Sequence, residues 1–416
     1  MRVLLAAAAC RPGAGSEWHV GWQTAMSTAR SHSVCVVTQP FNRKDIEAWL
    51  VAHPEAPIEF HYAGEVVSWH QNRLVARMQD WLELRRWTRQ AAALIHGLSK
   101  KEKFDIGHHA TIASWRLPSP LAGAGLPWIW GPIGGGTSVP PAFHGLLSPG
   151  ARAFERLRTI ANRVAMQSPA LRRCARDASV ILVNSKDTGD VVRVLRGSAD
   201  GIRELSQTFL TPGRIARLAA PGKRFPGSDD ELKILACGTL EGLKGVALSL
   251  HALARCSAQG LRFRFRFLGK GSEFEHLTRL SHRLGLANQV SLGDWLEGEE
   301  FTDAIRSAHV YLSPSLREGV PVSLIEAMAA HCVPIVANCG GPGLVVTPDC
   351  GFSLPVESPE QLISDITNRI LLLARDPKQC RILADAAHNR AATVFSEAAY
   401  LAGIELAYGS ALGVNC

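Results

Sequence analysis

The feature that most constrains the fold of this chain is a repeated alternation of short apolar runs with longer helical stretches. One series of runs comprises Val3–Ala9, Val34–Thr38, Ile58–Tyr62, Ile106–His109, Trp128–Gly131 and Val180–Asn184. A second series comprises Ile234–Cys237, Phe263–Leu268, Val290–Leu292, Val310–Ser313 and Val333–Ala337. Strands that alternate with helices form parallel α/β sheets. The sequence therefore predicts an α/β fold with two Rossmann-like domains, divided in the loop-rich region Thr208–Asp230.

Length and composition limit the classes of protein to which the chain can belong. Its 416 residues suffice for two domains, and 46% hydrophobic with 20% charged residues is not the profile of a disordered protein. No run of roughly 18 apolar residues occurs, so we expect no transmembrane helix. The formal net charge of +8 could suit nucleic acid. No recognisable nucleic-acid module accompanies that charge, and we expect no such partner.

The cysteines point to a reducing compartment. All ten are scattered without CxxC pairs, and most lie inside apolar stretches, as buried free thiols do. This pattern favours the cytoplasm. The opening MRVLLAAAAC could also be read as a short secretory signal. Its weakly charged start and brief apolar run favour a first buried strand instead.

The stretch Ser313–Gly343 carries the strongest functional signal. Pro321 suits the first position of a helix that continues through VSLIEAMAA. The N–H groups around Gly319 and Val320 would then lie free at a helix N-terminus, where a phosphate or diphosphate binds readily. Glu326, one turn into the helix, could reach both hydroxyls of a ribose, and Glu318 would face the group beyond the phosphates. The stretch therefore predicts a nucleotide-sugar site.

This stretch resembles the E-x7-E signature of the GT4 family, the retaining glycosyltransferases of the GT-B fold. The resemblance rests on S-P-S-x-x-E-G-x-P-x-x-x-x-E-A-M-A. It implies that Glu326 holds the donor ribose, that Glu318 lies against the donor sugar, and that the amides of Gly319 and Val320 contact the diphosphate.

The resemblance also implies an architecture. Two Rossmann-like domains would face each other across a cleft, and a C-terminal helix would cross back to the first of them. We expect an acceptor domain over residues 1–210, a nucleotide-sugar donor domain over residues 211–385, and a helical segment over residues 386–416 that packs on the first domain.

A second motif of the donor domain departs from the family pattern. The segment from Gly238 to Gly245 resembles G-R-L-x-x-x-K-G, in which an arginine and a lysine clamp the diphosphate. Lys244 matches the lysine, but Thr239 replaces the arginine. A threonine hydroxyl brings neither charge nor a bidentate fork. Arg317 could compensate for it. The Gly-Gly-Pro-Gly turn that begins at Gly340 is expected to supply secondary donor contacts.

Two motifs of the first domain complete the expected site. The loop in Arg11–Gly21 resembles the family's G-G-S-E loop over the donor phosphates, and Gly13, Ala14 and Gly15 would offer backbone N–H groups. The segment FDIGHHATIAS places His109 at a strand end, with His108 beside it. A histidine here recurs in the family beside the transferred sugar, which makes His109 a candidate catalytic residue together with Glu318. No zinc ligands converge on this pair at ligand spacing.

A basic amphipathic helix is predicted between Ala151 and Arg176. Its apolar stripe comprises Phe154, Leu157, Ile160, Ala161 and Val164. Basic residues accompany the stripe: Arg152, Arg156, Arg158, Arg163, Arg172, Arg173 and Arg176. Such a helix could lie on an anionic membrane surface. It could equally be a solvated helix that packs on its own domain.

Together these motifs imply a metal-independent hexosyltransferase with no cofactor. It would move a sugar, with retention, from a nucleotide diphosphate sugar to a saccharide or lipid-linked acceptor in bacterial polysaccharide, lipopolysaccharide or glycolipid assembly. No Asp-x-Asp occurs, so no obligatory metal is expected. The location would be cytoplasmic or peripheral on the inner face of the plasma membrane. The alternatives are a sugar-phosphate synthase or phosphorylase, a nucleotide-sugar epimerase, and a catalytically weakened nucleotide-sugar-binding protein.

Overall fold

The computed structural model describes residues 1–14, 16–64, 74–112, 114–219, 225–226 and 230–414. Within these residues the chain forms two parallel β-sheets, one of seven strands and one of six. The strands of the first sheet are β1 (Arg2–Ala7), β2 (Ser33–Thr38), β3 (Ile58–Tyr62), β4 (Ile106–Thr111), β5 (Trp128–Ile133), β6 (Val180–Val183) and β7 (Ile202–Glu204). Those of the second sheet are β8 (Leu232–Cys237), β9 (Phe263–Leu268), β10 (Val290–Asp294), β11 (Val310–Ser313), β12 (Val333–Ala337) and β13 (Phe352–Leu354).

Helices connect most of these strands. In the first half of the chain they are α1 (Ser16–Thr28), α2 (Arg43–Ala52), α3 (Leu74–Lys101), α4 (Pro149–Met166), α5 (Pro169–Asp177), α6 (Lys186–Arg196) and α7 (Pro212–Leu218). In the second half they are α8 (Val246–Ala258), α9 (Phe274–Arg283), α10 (Gly298–Ser307), α11 (Val322–Ala329), α12 (Gly341–Val345), α13 (Pro359–Arg375), α14 (Pro377–Thr393) and α15 (Glu397–Ala411).

Both sheets are doubly wound, which fixes where a ligand can bind. The first has the order β3-β2-β1-β4-β5-β6-β7 and the second the order β10-β9-β8-β11-β12-β13. The strand order reverses between β1 and β4 in one sheet and between β8 and β11 in the other. In open α/β sheets, ligands bind beyond the carboxyl ends of the strands at such a switch point. The loops that follow these four strands are therefore the positions to inspect.

The predicted strands are confirmed, with bounds that differ by a few residues at most. The sequence prediction missed β7 and β13, the outermost strands on one side of each sheet. Each has three residues, and β7 is partly exposed throughout. Short edge strands with exposed side chains lack the continuous apolar run by which buried strands are recognised.

The sheets are buried on both faces because successive side chains of a strand point in opposite directions. In β8, Ile234 packs into the core on one face of the second sheet, and Leu235 packs into the core on the other face. Each fully buried aliphatic side chain of this kind contributes about 1.5–3 kcal/mol. Strands flanked by apolar cores on both faces need no alternating polar positions, which explains the uninterrupted apolar runs of strands such as β1 and β12. In β9, by contrast, buried phenylalanines alternate with the more exposed Arg264 and Arg266.

The chain divides into two compact units, one for each sheet. The first comprises Met1–Gly136, Ala161–Gln207 and Tyr400–Cys416, and the second comprises Thr137–Ile160 and Thr208–Ala399. This division differs from the expected ranges in two places. Residues 137–160 join the second unit because Phe143 and Leu147 are buried in the core of its sheet. The chain up to Ala399 also stays with the second unit, since Leu383 of α14 lies in that same core.

The C-terminal helix belongs to the first unit, as predicted. Two buried tyrosines of α15 form hydrogen bonds to other elements of this unit. The hydroxyl of Tyr400 lies 3.0 Å from Thr24 Oγ1 on α1, and the hydroxyl of Tyr408 lies 3.0 Å from His108 Nδ1 on β4. Both tyrosines are at most 2% exposed. The last helix of the chain therefore completes the core of the unit that contains the first strand.

Candidate active site

The switch point of the second sheet brings together two residues that lie far apart in the sequence. Lys244 follows β8, at the end of a short 3-10 turn, and Glu318 follows β11. The ammonium Nζ of Lys244 donates to Oε2 of Glu318, and each side chain is 20% exposed. A cation and an anion that remain accessible beyond the ends of the strands can both meet a ligand.

The loop after Glu318 leads into α11 with its amides unsatisfied. The helix begins at Val322, one position after the predicted start, and Pro321 is its N-cap with an extended ψ of 131°. Among the described residues, nothing accepts a hydrogen bond from the N–H of Gly319 or Val320. Gly319 is exposed, whereas Val320 is 6% exposed. The amide of Gly319 therefore lies open beside the helix N-terminus, where an anion is stabilised.

The Gly-Gly-Pro-Gly turn supports this loop. The amide of Gly341 donates to the carbonyl oxygen of Glu318 over 3.1 Å. A Cβ at Gly340, whose φ is +79°, would lie 2.2 Å from that oxygen. Only glycine permits so close a contact at this backbone conformation. In the structure, Gly340 and Gly341 contact the loop that carries Glu318. Their expected contacts with the donor stay a prediction.

Glu326 is buried and already has a partner. It lies on α11, and its side chain is 11% exposed. Its Oε1 accepts a hydrogen bond from Nε of Arg214 on α7 over 2.8 Å, and Nη2 of the same arginine lies 2.7 Å from that oxygen. Burial raises the pKa of Glu326, and the guanidinium of Arg214 opposes that rise. The sequence analysis did not identify Arg214 as a site residue.

Arg317 does not take the place of the missing arginine of the lysine motif. Thr239 is exposed, and its hydroxyl is the sole polar group that its side chain offers. Arg317, considered as a substitute, instead donates to Oε1 of Glu155 on α4. Glu155 is 3% exposed and also lies 3.6 Å from Arg158. A guanidinium engaged with a buried carboxylate is not free to clamp a diphosphate.

The two histidines of the first unit have different surroundings. His108 is fully buried, with Nε2 at 2.7 Å from the carbonyl oxygen of Gly131 and Nδ1 facing Tyr408. Nε2 must therefore donate and Nδ1 accept. Burial lowers its pKa to about 4, although the Gly131 bond opposes this. His108 consequently has a structural role, holding β4, β5 and α15 together.

His109 is buried but not satisfied. It is 3% exposed, and its Nδ1 has no partner among the described residues. Burial, helped by the neighbouring His108, lowers its pKa to about 3. The imidazole is therefore neutral at physiological pH and could donate or accept a hydrogen bond without carrying charge. Its expected contact with the transferred sugar stays a prediction.

The glycine-rich loop after β1 is described only in part. Gly13 has a φ of +69°, Ala14 is partly exposed, and Gly15 lies outside the described residues. Arg11 at the start of the loop stacks on Phe41, with its guanidinium carbon 5.1 Å from the ring centroid. Burial raises the pKa of Glu17, in the first turn of α1, to about 7. The expected phosphate contacts of this loop stay a prediction.

The basic helix forms as predicted, and its apolar stripe faces solvent. Leu157, Ile160 and Val164 of α4 are 58%, 56% and 66% exposed. They are therefore not packed on the domain. Arg156 and Arg163 are exposed too, whereas Arg158 donates to the carbonyl oxygen of Thr137 over 2.7 Å and is 14% exposed. Among the described residues, no helix combines the length and apolarity that crossing a bilayer requires.

One group of potential metal ligands is present in the described part of the chain, outside both switch points. The thiol of Cys35 and the side chains of Glu59 and His61 offer ligand atoms within 4.8 Å of one another on β2 and β3. The carboxylate of Glu59 already lies 2.8 Å from His61 Nε2 and 3.6 Å from Arg2 Nη2. Because these two partners occupy the anion, we assign no metal to the group.

Comparison with known sequences matches part of the second unit to a family. Residues 223–390 match the family model of glycosyl transferases group 1. This region is a group 1 glycosyltransferase domain. It contains Lys244, Glu318 and Glu326, the residues that the signature motifs singled out.

The curated relatives match this chain in part. A Salmonella typhimurium protein, provisionally assigned as the colanic acid biosynthesis glycosyltransferase WcaL, is 30% identical over 139 residues, or 32% of this chain and 34% of that one. The MMP alpha-(1->4)-mannosyltransferase of Mycolicibacterium hassiacum is 30% identical over 154 residues, 37% of each chain. The matches thus span about a third of the length of these relatives.

Solved structures match the fold over nearly the whole chain. The lipopolysaccharide outer core galactosyltransferase WaaB superposes with a TM-score of 0.63 at 16% identity, and covers 99% of each chain. The Anabaena protein HepE, solved in complex with UDP, superposes with a TM-score of 0.62 at 16% identity, over 98% of this chain and 99% of that one. The fold is therefore GT-B, as the resemblance implied.

Proposed function

We propose that the protein is a retaining glycosyltransferase that binds a nucleotide diphosphate sugar at the switch point of its second sheet. Lys244 and the amides of Gly319 and Val320 would bind the diphosphate, and Glu326 would bind the ribose. Glu318 would lie against the donor sugar. The acceptor would be a hydroxyl of a saccharide or of a lipid-linked saccharide.

The single observation that carries this proposal is the contact between Lys244 and Glu318. The two residues come from separate motifs, 74 positions apart, yet their side chains meet beyond β8 and β11. Open amides at the start of α11 border the same place. A cation, free amides and a carboxylate at one switch point suit a ligand that has an anionic diphosphate and a neutral sugar.

The arrangement also suits the chemistry of transfer. The bond between the anomeric carbon and the diphosphate oxygen breaks, and the nucleoside diphosphate leaves with the electron pair. A bond from the anomeric carbon to the acceptor oxygen forms, and the proton of that hydroxyl passes to the leaving diphosphate. Lys244 and the loop amides would stabilise the charge that develops on the leaving diphosphate, where preorganised donors act most strongly. No metal is required for this stabilisation, so activity should persist in EDTA.

The first experiment is thermal unfolding of the purified protein with UDP, GDP, ADP and dTDP. UDP leads because solved GT-B neighbours bind UDP and UDP-glucose. A ligand at about 100 times its dissociation constant adds roughly 2.7 kcal/mol to stability. We expect one nucleotide to raise the melting temperature of the wild type and to have less effect on Glu326→Ala. A failure of all four to bind, measured directly by calorimetry as well, would refute the proposal.

One observation favours a second candidate, a protein that binds the nucleotide sugar but turns it over poorly. Thr239 brings no charge, and Arg317 is engaged with Glu155. Lys244 is then the single cation that the motifs offer to the diphosphate. Restoration of the family residue by Thr239→Arg separates the two candidates. An active wild type excludes the weakened binder, whereas turnover that appears only in Thr239→Arg supports it.

We further propose that α4 lies on an anionic membrane surface that carries a lipid-linked acceptor. An exposed stripe of Leu157, Ile160 and Val164 beside exposed arginines supports this proposal, because such helices bind at the lipid interface. The test is flotation with vesicles of phosphatidylcholine and phosphatidylglycerol. Arg156→Glu with Arg163→Glu should abolish flotation.

The matched control for flotation is Arg279→Glu with Arg283→Glu on α9, which makes the same change of charge at exposed positions of another helix. The control should float like the wild type. Equal loss in both double variants would mean that net charge, rather than α4, governs binding. No loss in either would remove α4 from the account of membrane binding.

A further inference from the structure

We propose that Arg214 is a positioning residue for the donor. It would hold the carboxylate of Glu326 so that one oxygen is occupied and the other is presented to the ribose hydroxyls. This inference rests on the proposed function, since it concerns the same site. Neither the motifs nor the comparisons assign a role to Arg214.

The hydrogen bonds of Arg214 leave half of the carboxylate open. Nε donates to Oε1 of Glu326 over 2.8 Å, and Nη2 forms an ion-pair contact with the same oxygen at 2.7 Å. Oε2 of Glu326 has no partner among the described residues. A carboxylate oxygen has two lone pairs, so Oε2 can accept from the two neighbouring hydroxyls of a ribose. The geometry thus separates a structural oxygen from a ligand-binding one.

The guanidinium is itself fixed from the other side. Its Nη1 donates to Thr302 Oγ1 over 2.8 Å, and that hydroxyl donates to the carbonyl oxygen of Gly298 over 3.0 Å. Thr302 is 1% exposed. Arg214 is therefore oriented by a buried chain of hydrogen bonds, and it transmits that orientation to Glu326. Charge-assisted hydrogen bonds of this kind give geometric specificity as well as energy.

The local fold explains why an arginine at this position can act so. Thr211 caps α7 by accepting from the backbone N–H of Arg214, and Pro212 begins the helix. The helix packs against α10 and α11, which carry Thr302 and Glu326. Because Arg214 lies in the first turn, its long side chain reaches both neighbouring helices.

Electrostatics gives Arg214 a second consequence for binding. Glu326 is 11% exposed, and burial raises its pKa while Arg214 lowers it. Protonation converts one carboxylate oxygen into an O–H donor and leaves the group a weaker acceptor for the ribose hydroxyls. An arginine remains charged throughout the physiological range, so it favours the ionised form at every such pH. We call the pH below which nucleotide binding is lost the acid limit. Without Arg214, the acid limit should move to higher pH.

The test measures the affinity of UDP, GDP, ADP and dTDP by calorimetry from pH 5 to 8.5, in the wild type, Arg214→Gln, Arg214→Lys and Glu326→Gln. We expect Arg214→Gln to weaken binding at pH 7 by at least about tenfold and to move the acid limit upward. Arg214→Lys keeps the positive charge but lacks the planar guanidinium. Its pH profile should therefore be closer to that of the wild type than its affinity is. Glu326→Gln should bind weakly with no acid limit from this group.

The matched control is Arg217→Gln, on the same helix, where the arginine side chain is 65% exposed. It should bind and titrate like the wild type. If the wild type binds a nucleotide while Arg214→Gln keeps both its affinity and its pH profile, this inference fails and the proposed function stands. An Arg214→Gln variant that is merely less stable, with an unmoved acid limit, also overturns it. A wild type that binds none of the four refutes the proposed function, and the inference with it.

Discussion

Replacement of Glu318 by glutamine should strengthen the binding of free nucleoside diphosphate. In the unliganded protein the ammonium of Lys244 is neutralised by the Glu318 carboxylate. An incoming diphosphate must share that ammonium and also approach a like charge. Glu318→Gln keeps the size of the side chain, frees the lysine and removes the repulsion. UDP has no sugar, so the variant loses no contact that UDP makes.

The magnitude follows from Coulomb's law. Two unit charges about 4 Å apart interact by about 1 kcal/mol in bulk water and about 4 kcal/mol at an effective dielectric constant near 20. Because both side chains are 20% exposed, screening reduces the second figure. We expect a gain of about 1–2 kcal/mol, which is roughly a five- to thirtyfold tighter dissociation constant. Transfer of sugar should fall at the same time, because Glu318 is expected to contact the donor sugar.

Calorimetric titration at low and physiological salt measures this effect, and the gain should shrink at high salt. Glu275→Gln, at an exposed position of α9, makes the same change of charge and should leave affinity unchanged. Lys244→Met should weaken UDP binding, and the gain from Glu318→Gln should be smaller in that background. Equal or weaker binding by Glu318→Gln would refute the electrostatic argument.

Three further predictions concern the folded state. Gly340→Ala should lower the unfolding free energy by more than about 2 kcal/mol, because its Cβ would lie 2.2 Å from a carbonyl oxygen at a φ of +79°. Gly319→Ala should be tolerated, since a Cβ there would have no atom within 4 Å. Thermal melts compare the melting temperatures of the two variants. Burial lowers the pKa of His109 to about 3, so as the pH falls the unfolded chain binds a proton at this residue before the folded protein does. The contribution of the neutral imidazole to the unfolding free energy should therefore be fully present above pH 6.5. Below that pH the unfolding free energy should fall by up to about 1.4 kcal/mol per pH unit. Urea titrations from pH 7.5 to 4.5 should show a shallower fall for His109→Gln; an equal slope would contradict this. Tyr408→Phe should cost about 1–3 kcal/mol because it leaves a buried imidazole nitrogen unpaired, and a melt unchanged from the wild type would show that bond to be unimportant.

The sequence was sufficient to predict what local pattern and motif determine. Apolar runs predicted the buried strands, and their alternation with helices predicted the two parallel sheets. Lys244 and Glu318 could be expected to lie near each other because the loops after β8 and β11 meet at one sheet edge. The positions of Glu318 and Glu326 around the start of α11 followed from proline and helical spacing.

The partner of Glu326 could not be found in the same way. Arg214 precedes it by 112 residues, and LTPG read as part of a domain linker. A local signal was nevertheless present: a threonine before a proline marks the N-cap and first residue of a helix. That signal would have predicted α7, but not its contact with α11, which only tertiary packing decides. The engagement of Arg317 with Glu155 was hidden for the same reason.

The helix that bears Tyr400 and Tyr408 has a consequence for biosynthesis. On the ribosome, the chain emerges from residue 1 onward, and domains generally fold as they are completed. All segments of the second unit have been synthesised by residue 399, while the first unit still lacks its closing helix. The unit that contains β1 is thus finished after the second unit. Until α15 has been synthesised, the imidazole of His108 lacks the hydroxyl of Tyr408 that pairs with it.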